Sequence, residues 1–251
     1  MTCGLPYGLW PVASLMLEGV TLETLFIDAG GVLVFPNWTR VCDTLARHGV
    51  NAAPDVLRAA ELLAKRDLDL GRTVPHASDD ERGWDYFNCV LAKAGIAQTD
   101  HTDAALVELH RYHDEVNLWE HVPGDVVPAL TRFRALGLQL VVVSNANGKL
   151  HVLFERIGLA PLVDLALDSA VEGVEKPDPR LFQIALARAG ANAATTLHVG
   201  DLYNVDIVGA RAAGLAEAIL LDPGGLYEGF DCPRVRSLGE LAEQLEKNSQ
   251  G

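Results

Sequence analysis

The sequence predicts an α/β fold in which a parallel sheet is covered by helices on both faces. From Leu136 onward, short and nearly continuous apolar runs alternate with helical patterns, as in strands that are buried on both sides. Several of these runs end in polar residues and lead into a helical pattern, which is the order of a repeated strand-helix unit. The segment between Trp38 and His121 lacks such runs. Together these observations indicate a Rossmann-like core with a separate helical unit.

The predicted strands are short runs rich in branched apolar residues. "LFI" leads into Asp28, "LQLVVVSN" spans 138–145 and "LVDLAL" spans 162–167. "TLHVGD" and "EAILL" are the two further runs, and His198 within the first of them is predicted to be packed in the core. Because the runs are apolar almost throughout, they favour parallel strands over half-exposed antiparallel ones.

The connecting helices are predicted from apolar residues that recur every three or four positions. One such pattern begins at Leu150, and another ends at Gly190. A third pattern ends at Gly214, where glycine suits the end of a helix. The final helix begins near Ser237, with Glu240 at the spacing of a capping box.

Residues 38–120 are predicted to form an all-helical domain inserted after the first strand, because their apolar residues recur at helical spacing. Residues 21–37 together with 121–251 are predicted to form the sheet-containing core domain. Residues 1–20 are interpreted as an N-terminal extension.

Composition restricts the class of protein and its partners. The chain has 251 residues, of which 49% are apolar and 22% charged, as in a globular protein. Its formal net charge of -14 argues against nucleic acid as a partner, and no apolar run reaches the about 18 residues that would span a membrane. The four cysteines form no C-x-x-C pair, which predicts reduced thiols and a cytoplasmic location. The oligomeric state stays open.

Polar residues follow the predicted strands or lie in the loops beside them. In an open parallel sheet the carboxyl ends of the strands lie at one edge, and ligands bind there. We therefore expect these side chains to converge although they are distant in the sequence. They are Asp28, Ser144, Asn145, Lys176, Asp201 and Asp206.

These side chains suit phosphoryl transfer. The Asp28 carboxylate can attack a phosphoryl group and form an acyl phosphate, provided that the phosphoryl oxygens are neutralised. Lys176, Ser144 and backbone amides are candidates for holding those oxygens. Asp201 and Asp206 offer the hard oxygen ligands that Mg²⁺ prefers. Asp28 and Lys176 are thus the predicted catalytic residues.

Four segments resemble the motifs of a known family. "FIDAGGVL", "VVVSNA", "EKPDPRLF" and "HVGDLYNVDIVGARAAG" occur in the order found in the haloacid dehalogenase-like hydrolase superfamily. The chain resembles the phosphatase-like branch of that superfamily over residues 22–245, with 38–120 in the place of a helical cap. This resemblance implies Mg²⁺-dependent hydrolysis of a small phosphorylated metabolite through an aspartyl-phosphate on Asp28.

The resemblance also assigns binding roles to residues of the four motifs. Phosphate-binding roles fall on Gly31, Ser144, Asn145 and Lys176. Metal-binding roles fall on Asp28, the backbone carbonyl of Gly30, Asp201 and Asp206.

One position departs from the family pattern. Family phosphatases carry a second Asp two residues after the nucleophile, where it acts as general acid and then as general base. This chain has Gly30 there, and Val32 replaces the usual Thr. Because a positioned acid/base contributes about 10² to 10⁴ in rate, we expect phosphoester hydrolysis to be slow or specialised.

Three other functions stay open at this point. The dehalogenases of the superfamily also lack the second Asp, so a metal-independent 2-haloacid dehalogenase is one alternative. Relatives that cleave phosphonates use a cap lysine as a Schiff base, for which Lys65 is the candidate. The third alternative is a phosphate-binding protein without catalytic activity.

Overall fold

The computed structural model describes residues 21–71 and 79–249, except for the side chains of residues 79–84 and 249. The predicted N-terminal extension, residues 1–20, lies outside the described residues. Among the described residues, no helix is both long enough and apolar enough to cross a membrane.

Six strands and ten helices are described, together with shorter helical turns. The strands are β1 (Thr24–Ile27), β2 (Gln139–Ser144), β3 (Leu165–Asp168), β4 (Thr196–Gly200), β5 (Glu217–Leu221) and β6 (Arg234–Val235). The helices are α1 (Trp38–Arg47), α2 (Pro54–Gly71), α3 (Asp79–Lys93), α4 (Asp100–Glu115), α5 (Val126–Ala135), α6 (Leu150–Arg156), α7 (Ser169–Glu172), α8 (Pro179–Ala189), α9 (Val208–Ala212) and α10 (Leu238–Ser249).

The six strands form one parallel sheet in the order β3-β2-β1-β4-β5-β6. The first strand lies near the middle, with Thr24 opposite Gln139 on one side and Thr196 on the other. Because all strands run the same way, their carboxyl ends meet at one edge of the sheet. The predicted α/β fold with a parallel sheet is confirmed.

Alternating residues of each strand are buried on opposite faces of the sheet. Ile27 packs in one apolar cluster with Phe133 of α5 and Phe154 of α6. Its neighbour Phe26 packs in a second cluster, with Phe182 of α8. Burial of a side chain of this size contributes about 1.5 to 3 kcal/mol, so the two layers hold the sheet firmly beneath its carboxyl edge.

Some element boundaries differ from the sequence prediction. The third strand begins at Leu165 and not at Leu162, because the residues before it form a short 3₁₀ turn, Ala160–Leu162, that contains a proline. A turn of π-helix, Tyr203–Ile207, precedes α9 where one continuous helix was predicted. The two-residue strand β6 was not predicted, since it is too short to show a periodicity.

Helices α1 to α4, here called the four-helix segment, lie between β1 and β2 in the chain. They share an apolar cluster of their own, which includes Trp38, Phe87 and Leu106. The two connections to the sheet pair with each other, since Phe35 and His121 exchange backbone hydrogen bonds of 2.8 and 3.1 Å. The segment is thus attached through two adjacent stretches of backbone.

Candidate functional site at the carboxyl edge of the sheet

Asp28 leaves the end of β1 and begins a tight turn. Its backbone N–H still donates to Val199 O at 2.9 Å, which continues the strand pairing. The amides of the following residues then turn back to Ala29 O. Gly31 has φ +80°, and a Cβ there would lie 2.1 Å from Asp201 Oδ2 and 2.4 Å from Lys65 Nζ. Only glycine fits this position, both in backbone conformation and in space.

Lys176 is a buried cation that pairs with both Asp28 and Asp206. It is 2% exposed, and its Nζ lies 2.8 Å from Asp28 Oδ1 and 2.7 Å from Asp206 Oδ1. Burial alone would lower the pKa of Lys176, but Asp206 and Asp28 outweigh burial and raise it above its usual range. The side chain is therefore a fixed positive charge beside Asp28.

Asn145 holds the backbone of that lysine in place. Its Nδ2 donates to Lys176 O at 2.9 Å, and its Oδ1 accepts from Lys176 N at 2.8 Å. Because both polar groups of the amide are used in this way, the structure favours a positioning role for Asn145 over the predicted contact with phosphate.

Asp206 is fully buried, and all of its acceptor sites are used. Its Oδ1 accepts from Lys176 Nζ and from His198 Nε2 at 3.1 Å, while its Oδ2 accepts from the amides of Asp201 and Leu202 at 3.2 and 3.0 Å. A carboxylate has about four lone-pair sites, so none is left for a metal in this arrangement. In this arrangement Asp206 orients Lys176 and Asp201, and its role as a metal ligand stays a prediction.

His198 lies in the core, as predicted, and packs edge-on against Phe182 with ring centroids 4.9 Å apart. Burial lowers the pKa of its imidazole, although Asp206 opposes this. Its hydrogen bond to Asp206 was not foreseen and makes it part of the support of the site.

Asp201 differs from Asp206 because one of its oxygens is left without a directed hydrogen bond. Asp201 Oδ2 is buried, and its contact is an ion pair with Lys65 Nζ at 2.5 Å. One oxygen each of Asp28, Asp201 and Asp206 lies within 4.8 Å of the others. Carboxylate oxygens are hard donors that suit a divalent cation, and Asp201 Oδ2 has the ion pair with Lys65 in place of a directed hydrogen bond.

Burial and neighbouring charges set the protonation of the nucleophile candidate. Burial raises the pKa of Asp28 to about 7, with Asp206 and Asp201 adding to the effect and Lys176 opposing it. Burial also opposes ionisation of Asp206, but Lys176 and His198 outweigh it and hold the pKa of Asp206 well below its usual range. Burial also raises the pKa of Asp201, so Asp206 is the one of these three carboxylates whose charge the protein alone stabilises.

Ser144 ends β2 and lines the same space. It is buried, and its hydroxyl makes one long contact, 3.5 Å, with Asn145 O. A hydroxyl held so weakly is available to a ligand. The phosphate-binding role of Ser144 therefore stays a prediction, and the weakly held hydroxyl supports it.

A cavity of about 970 Å³ extends from these residues to the four-helix segment. Trp119 stands in its wall opposite the glycine turn, since its Nε1 is 3.8 Å from the place of a Cβ on Gly30. Further lining residues from the helical side are Lys65, Tyr86, His110, His113 and Asn117.

The sequence prediction missed a charged face of α2. Glu61, Lys65 and Asp69 follow one another at intervals of four residues, and all three are largely buried. Glu61 accepts from Trp38 Nε1 at 3.0 Å and from Tyr86 OH at 2.6 Å. The spacing was visible in the sequence, but such a face is usually exposed to solvent on a helix.

Asp69 joins this helix to the loop that follows β4. Its carboxylate accepts from the amides of Tyr203 and Asn204 at 2.8 and 3.0 Å and from Tyr227 OH at 2.9 Å. Asn204 Nδ2 also donates to Asp69 O at 2.9 Å. The end of α2 is thereby fastened to the loop that carries Asp201.

Comparison with known proteins points to one family. The family model described as haloacid dehalogenase-like hydrolase matches residues 22–214. The Bos taurus haloacid dehalogenase-like hydrolase domain-containing protein 3 is 31% identical over 149 residues, which are 59% of this chain and 59% of that protein. This chain therefore spans about three fifths of the length of that relative. The glyceraldehyde 3-phosphate phosphatase of Methanopyrus kandleri is 31% identical over 175 residues, which are 65% of this chain and 73% of that protein.

The fold is also that of solved structures with this description. The HAD-hydrolase YfnB from Bacillus subtilis, bound to magnesium, has a TM-score of 0.64 at 19% identity, covering 90% of this chain and 99% of that one. The family match extends over most of the chain and includes every motif residue discussed above. The predicted resemblance is thus confirmed: the chain belongs to the haloacid dehalogenase-like hydrolase family.

Proposed function

We propose that this protein is a Mg²⁺-dependent phosphomonoester hydrolase in which Asp28 is the nucleophile. The observation that carries the proposal is the buried Lys176, whose ammonium bridges Asp28 and Asp206 next to Asp201. A protein that only binds phosphate would not require these three charged side chains to be buried together. The phosphatase name of the Methanopyrus kandleri relative supports the same activity.

The reaction proceeds by two displacements at phosphorus. An Asp28 oxygen forms a bond to phosphorus while the bond to the ester oxygen breaks, and the leaving group takes a proton from water. Water then attacks the phosphorus of the aspartyl-phosphate and gives its proton to the hydroxide left by the first step, while the bond from phosphorus to the Asp28 oxygen breaks. This step releases phosphate and restores the carboxylate. In both steps Lys176 balances the negative charge of the phosphoryl oxygens, and the Ser144 hydroxyl donates a hydrogen bond to one of them.

Mg²⁺ fits the oxygen atoms at the centre of this site. Asp28, Asp201 and the backbone carbonyl of Gly30 are the residues that would hold it, while Asp206 keeps Asp201 and Lys176 in position. The ion, when bound, supplies positive charge against the developing charge on the phosphoryl group. Because Gly31 has no Cβ, the turn itself places no side chain against Asp201 Oδ2.

Gly30 limits the substrates that react well. No carboxyl group stands at this position, and the nearby Trp119 indole can donate a hydrogen bond but cannot transfer a proton at neutral pH. The preferred substrates are therefore small phosphate esters of acidic alcohols. We assign the four-helix segment to closing the 970 Å³ cavity over such a metabolite, in the cytoplasm.

The other hypotheses have less support from the site. A metal-independent dehalogenase has no need for a second carboxylate, Asp201, within 4.8 Å of the Asp28 carboxylate. A Schiff base on Lys65 needs a free amine, whereas Asp201 and Glu61 outweigh the effect of burial and raise the pKa of Lys65.

A leaving-group series tests the proposed function. We expect hydrolysis of p-nitrophenyl phosphate with Mg²⁺ and none in a chelator, because nitrophenolate leaves without a proton. Alkyl phosphates should react at least about 10²-fold more slowly. The measurement is phosphate release from both classes of ester, with Mg²⁺ and with the chelator. Folded protein that releases no phosphate from either class, or that releases chloride from 2-haloacids in the chelator, contradicts the proposal.

Restoring the missing acid should extend the activity to alkyl phosphates. In Gly30→Asp the new Cβ meets Trp119 at 3.8 Å, an ordinary contact, so the backbone position accepts a Cβ. We expect kcat/KM for alkyl phosphates to rise by about 10²-fold, with little change for p-nitrophenyl phosphate. Gly30→Asn is the matched control, since it has the same size and no transferable proton. Equal rates for both variants would show that the proton comes from elsewhere.

A further inference from the structure

Lys65 reaches from α2 into the place that a cation would take at Asp201. Its side chain is 15% exposed, and its Nζ lies 2.5 Å from Asp201 Oδ2 and 3.8 Å from Glu61 Oε1. The same Nζ lies 2.4 Å from where a Cβ of Gly31 would stand. The space left open by the glycine is therefore filled by an ammonium group of the protein itself.

A divalent ion cannot share this position with the ammonium. Mg²⁺ binds carboxylate oxygen at about 2.0 to 2.1 Å and is surrounded by six ligands. An ammonium group within hydrogen-bonding distance of the same oxygen therefore occupies space that the ion and its other ligands need. Charge leads to the same conclusion. When Lys65 leaves Asp201 and keeps Glu61 as its partner, the charges of Asp28, Asp201 and Asp206 exceed that of Lys176 by two, which one divalent ion neutralises.

We propose that Lys65 and Mg²⁺ bind Asp201 alternately, so that metal binding requires the release of this lysine of the four-helix segment. The inference rests on the proposed function, because it takes the metal site from it. Asp69 binds the end of the same helix to the loop after Asp201, which keeps the Lys65 side chain near the Asp201 carboxylate. Lys65 thus sets the Mg²⁺ affinity of the site and links metal binding to the contact between helix and sheet.

Calorimetric titration with MgCl₂ alone tests the competition without any substrate. We expect Lys65→Met to bind Mg²⁺ about tenfold or more tightly than the wild type, because Asp201 is then free. Lys93→Met is the matched control, since Lys93 pairs with Asp67 and its loss removes the same charge from the four-helix segment. That control should stay within about twofold of the wild type, as expected for a screened and partly exposed charge.

Three results would overturn the inference. They are unchanged or weaker Mg²⁺ binding in Lys65→Met, equal tightening in both variants, and no Mg²⁺ binding by either the wild type or Lys65→Met. Failure of the proposed function shows separately, as absence of phosphate release in the leaving-group series.

A second measurement on the wild type covers the case in which Lys65→Met does not fold. Acetylation by a lysine-directed reagent is followed by mass spectrometry with and without MgCl₂. We expect Lys65 to be protected without the metal and to become several-fold more reactive with it, while Lys176 stays protected in both. Equal reactivity of Lys65 in the two conditions would overturn the inference.

Discussion

Asp28→Asn should abolish phosphate release and at the same time stabilise the folded protein at alkaline pH. The amide keeps the size of the side chain but is not a nucleophile, so no acyl phosphate can form. Loss of a residue that makes the covalent bond lowers kcat by about 10⁴-fold or more. The measurement is phosphate release from p-nitrophenyl phosphate with Mg²⁺. Activity above a few per cent of the wild type would remove Asp28 from the role of nucleophile.

The expected gain in stability follows from the raised pKa of Asp28. Its ordinary value of 3.8 rises to about 7 in the fold, so the folded protein binds more protons than the unfolded chain between these values. The free energy of unfolding therefore falls as the pH rises from about 4 to 7, and the penalty remains above this range. Asparagine has no charge to bury and escapes the penalty.

Urea unfolding in a chelator at pH 5 and pH 8 measures this effect. At pH 8 we expect the free energy of unfolding of Asp28→Asn to exceed that of the wild type by on the order of 2 kcal/mol. The difference should shrink at pH 5. Asp43→Asn, an exposed change on α1, should leave the pH dependence as it is. A variant less stable than the wild type at pH 8 would mean that the Asp28 carboxylate stabilises the fold.

The convergence of the site was predictable because it follows from topology. Asp28 and Asp201 follow β1 and β4, and Ser144 ends β2, so neighbouring parallel strands bring these residues to one edge. The register places the end of β1 level with Val142 and Val199, so no detail of packing was needed. The parallel α/β fold was predictable for the same reason, since it follows from the order of the apolar runs.

The division of labour within the site was not predictable in this way. Asn145 and Asp206 stand where the motifs place them, but their hydrogen bonds go to the backbone of Lys176 and to the loop after β4. Which of two neighbouring polar side chains faces a ligand depends on side-chain rotamers and on competing donors. The sequence does not contain this information in a local pattern.

Contacts between elements that are distant in the sequence could not be predicted either. The face formed by Glu61, Lys65 and Asp69 has the same spacing as an exposed helix face. It is buried only because the end of α2 docks on the loop at Tyr203 and Asn204. Sequence spacing shows that these residues share a face of the helix, and tertiary structure decides what that face contacts.

Lys176→Met should be the most destabilising single change in the site. The methionine fills a similar volume, but it leaves Asp28 and Asp206 buried without their shared cation. Breaking a buried ion pair in this way costs about 3 to 5 kcal/mol. Asp206 keeps His198 and two backbone amides as donors, so the loss falls mainly on Asp28. Phosphate release should fall by about 10³-fold or more, since a charge that balances the phosphoryl oxygens is lost.

The pH dependence of this loss has a definite sign. The raised pKa of Lys176 lies far above the range tested, so its charge is constant between pH 4 and 9. The lowered pKa of Asp206 means that its carboxylate stabilises the fold above its ordinary pKa of about 4, and that this contribution is lost as the pH falls below that value. The difference between wild type and variant should therefore be largest at pH 8 and decrease toward pH 4, where protonation removes the unpaired charges.

A double-mutant cycle separates the ion pair from other effects of the substitution. Because Asp28→Asn removes the carboxylate that Lys176→Met leaves unpaired, the double variant should recover about 1 to 3 kcal/mol relative to the sum of the single changes. Lys93→Met, a partly exposed pair with Asp67, should cost at most about 1 kcal/mol. If Lys176→Met costs no more than that control, and the cycle shows additivity, then the buried lysine does not hold the two carboxylates together. The central charge of the proposed site would then have to be sought in another residue.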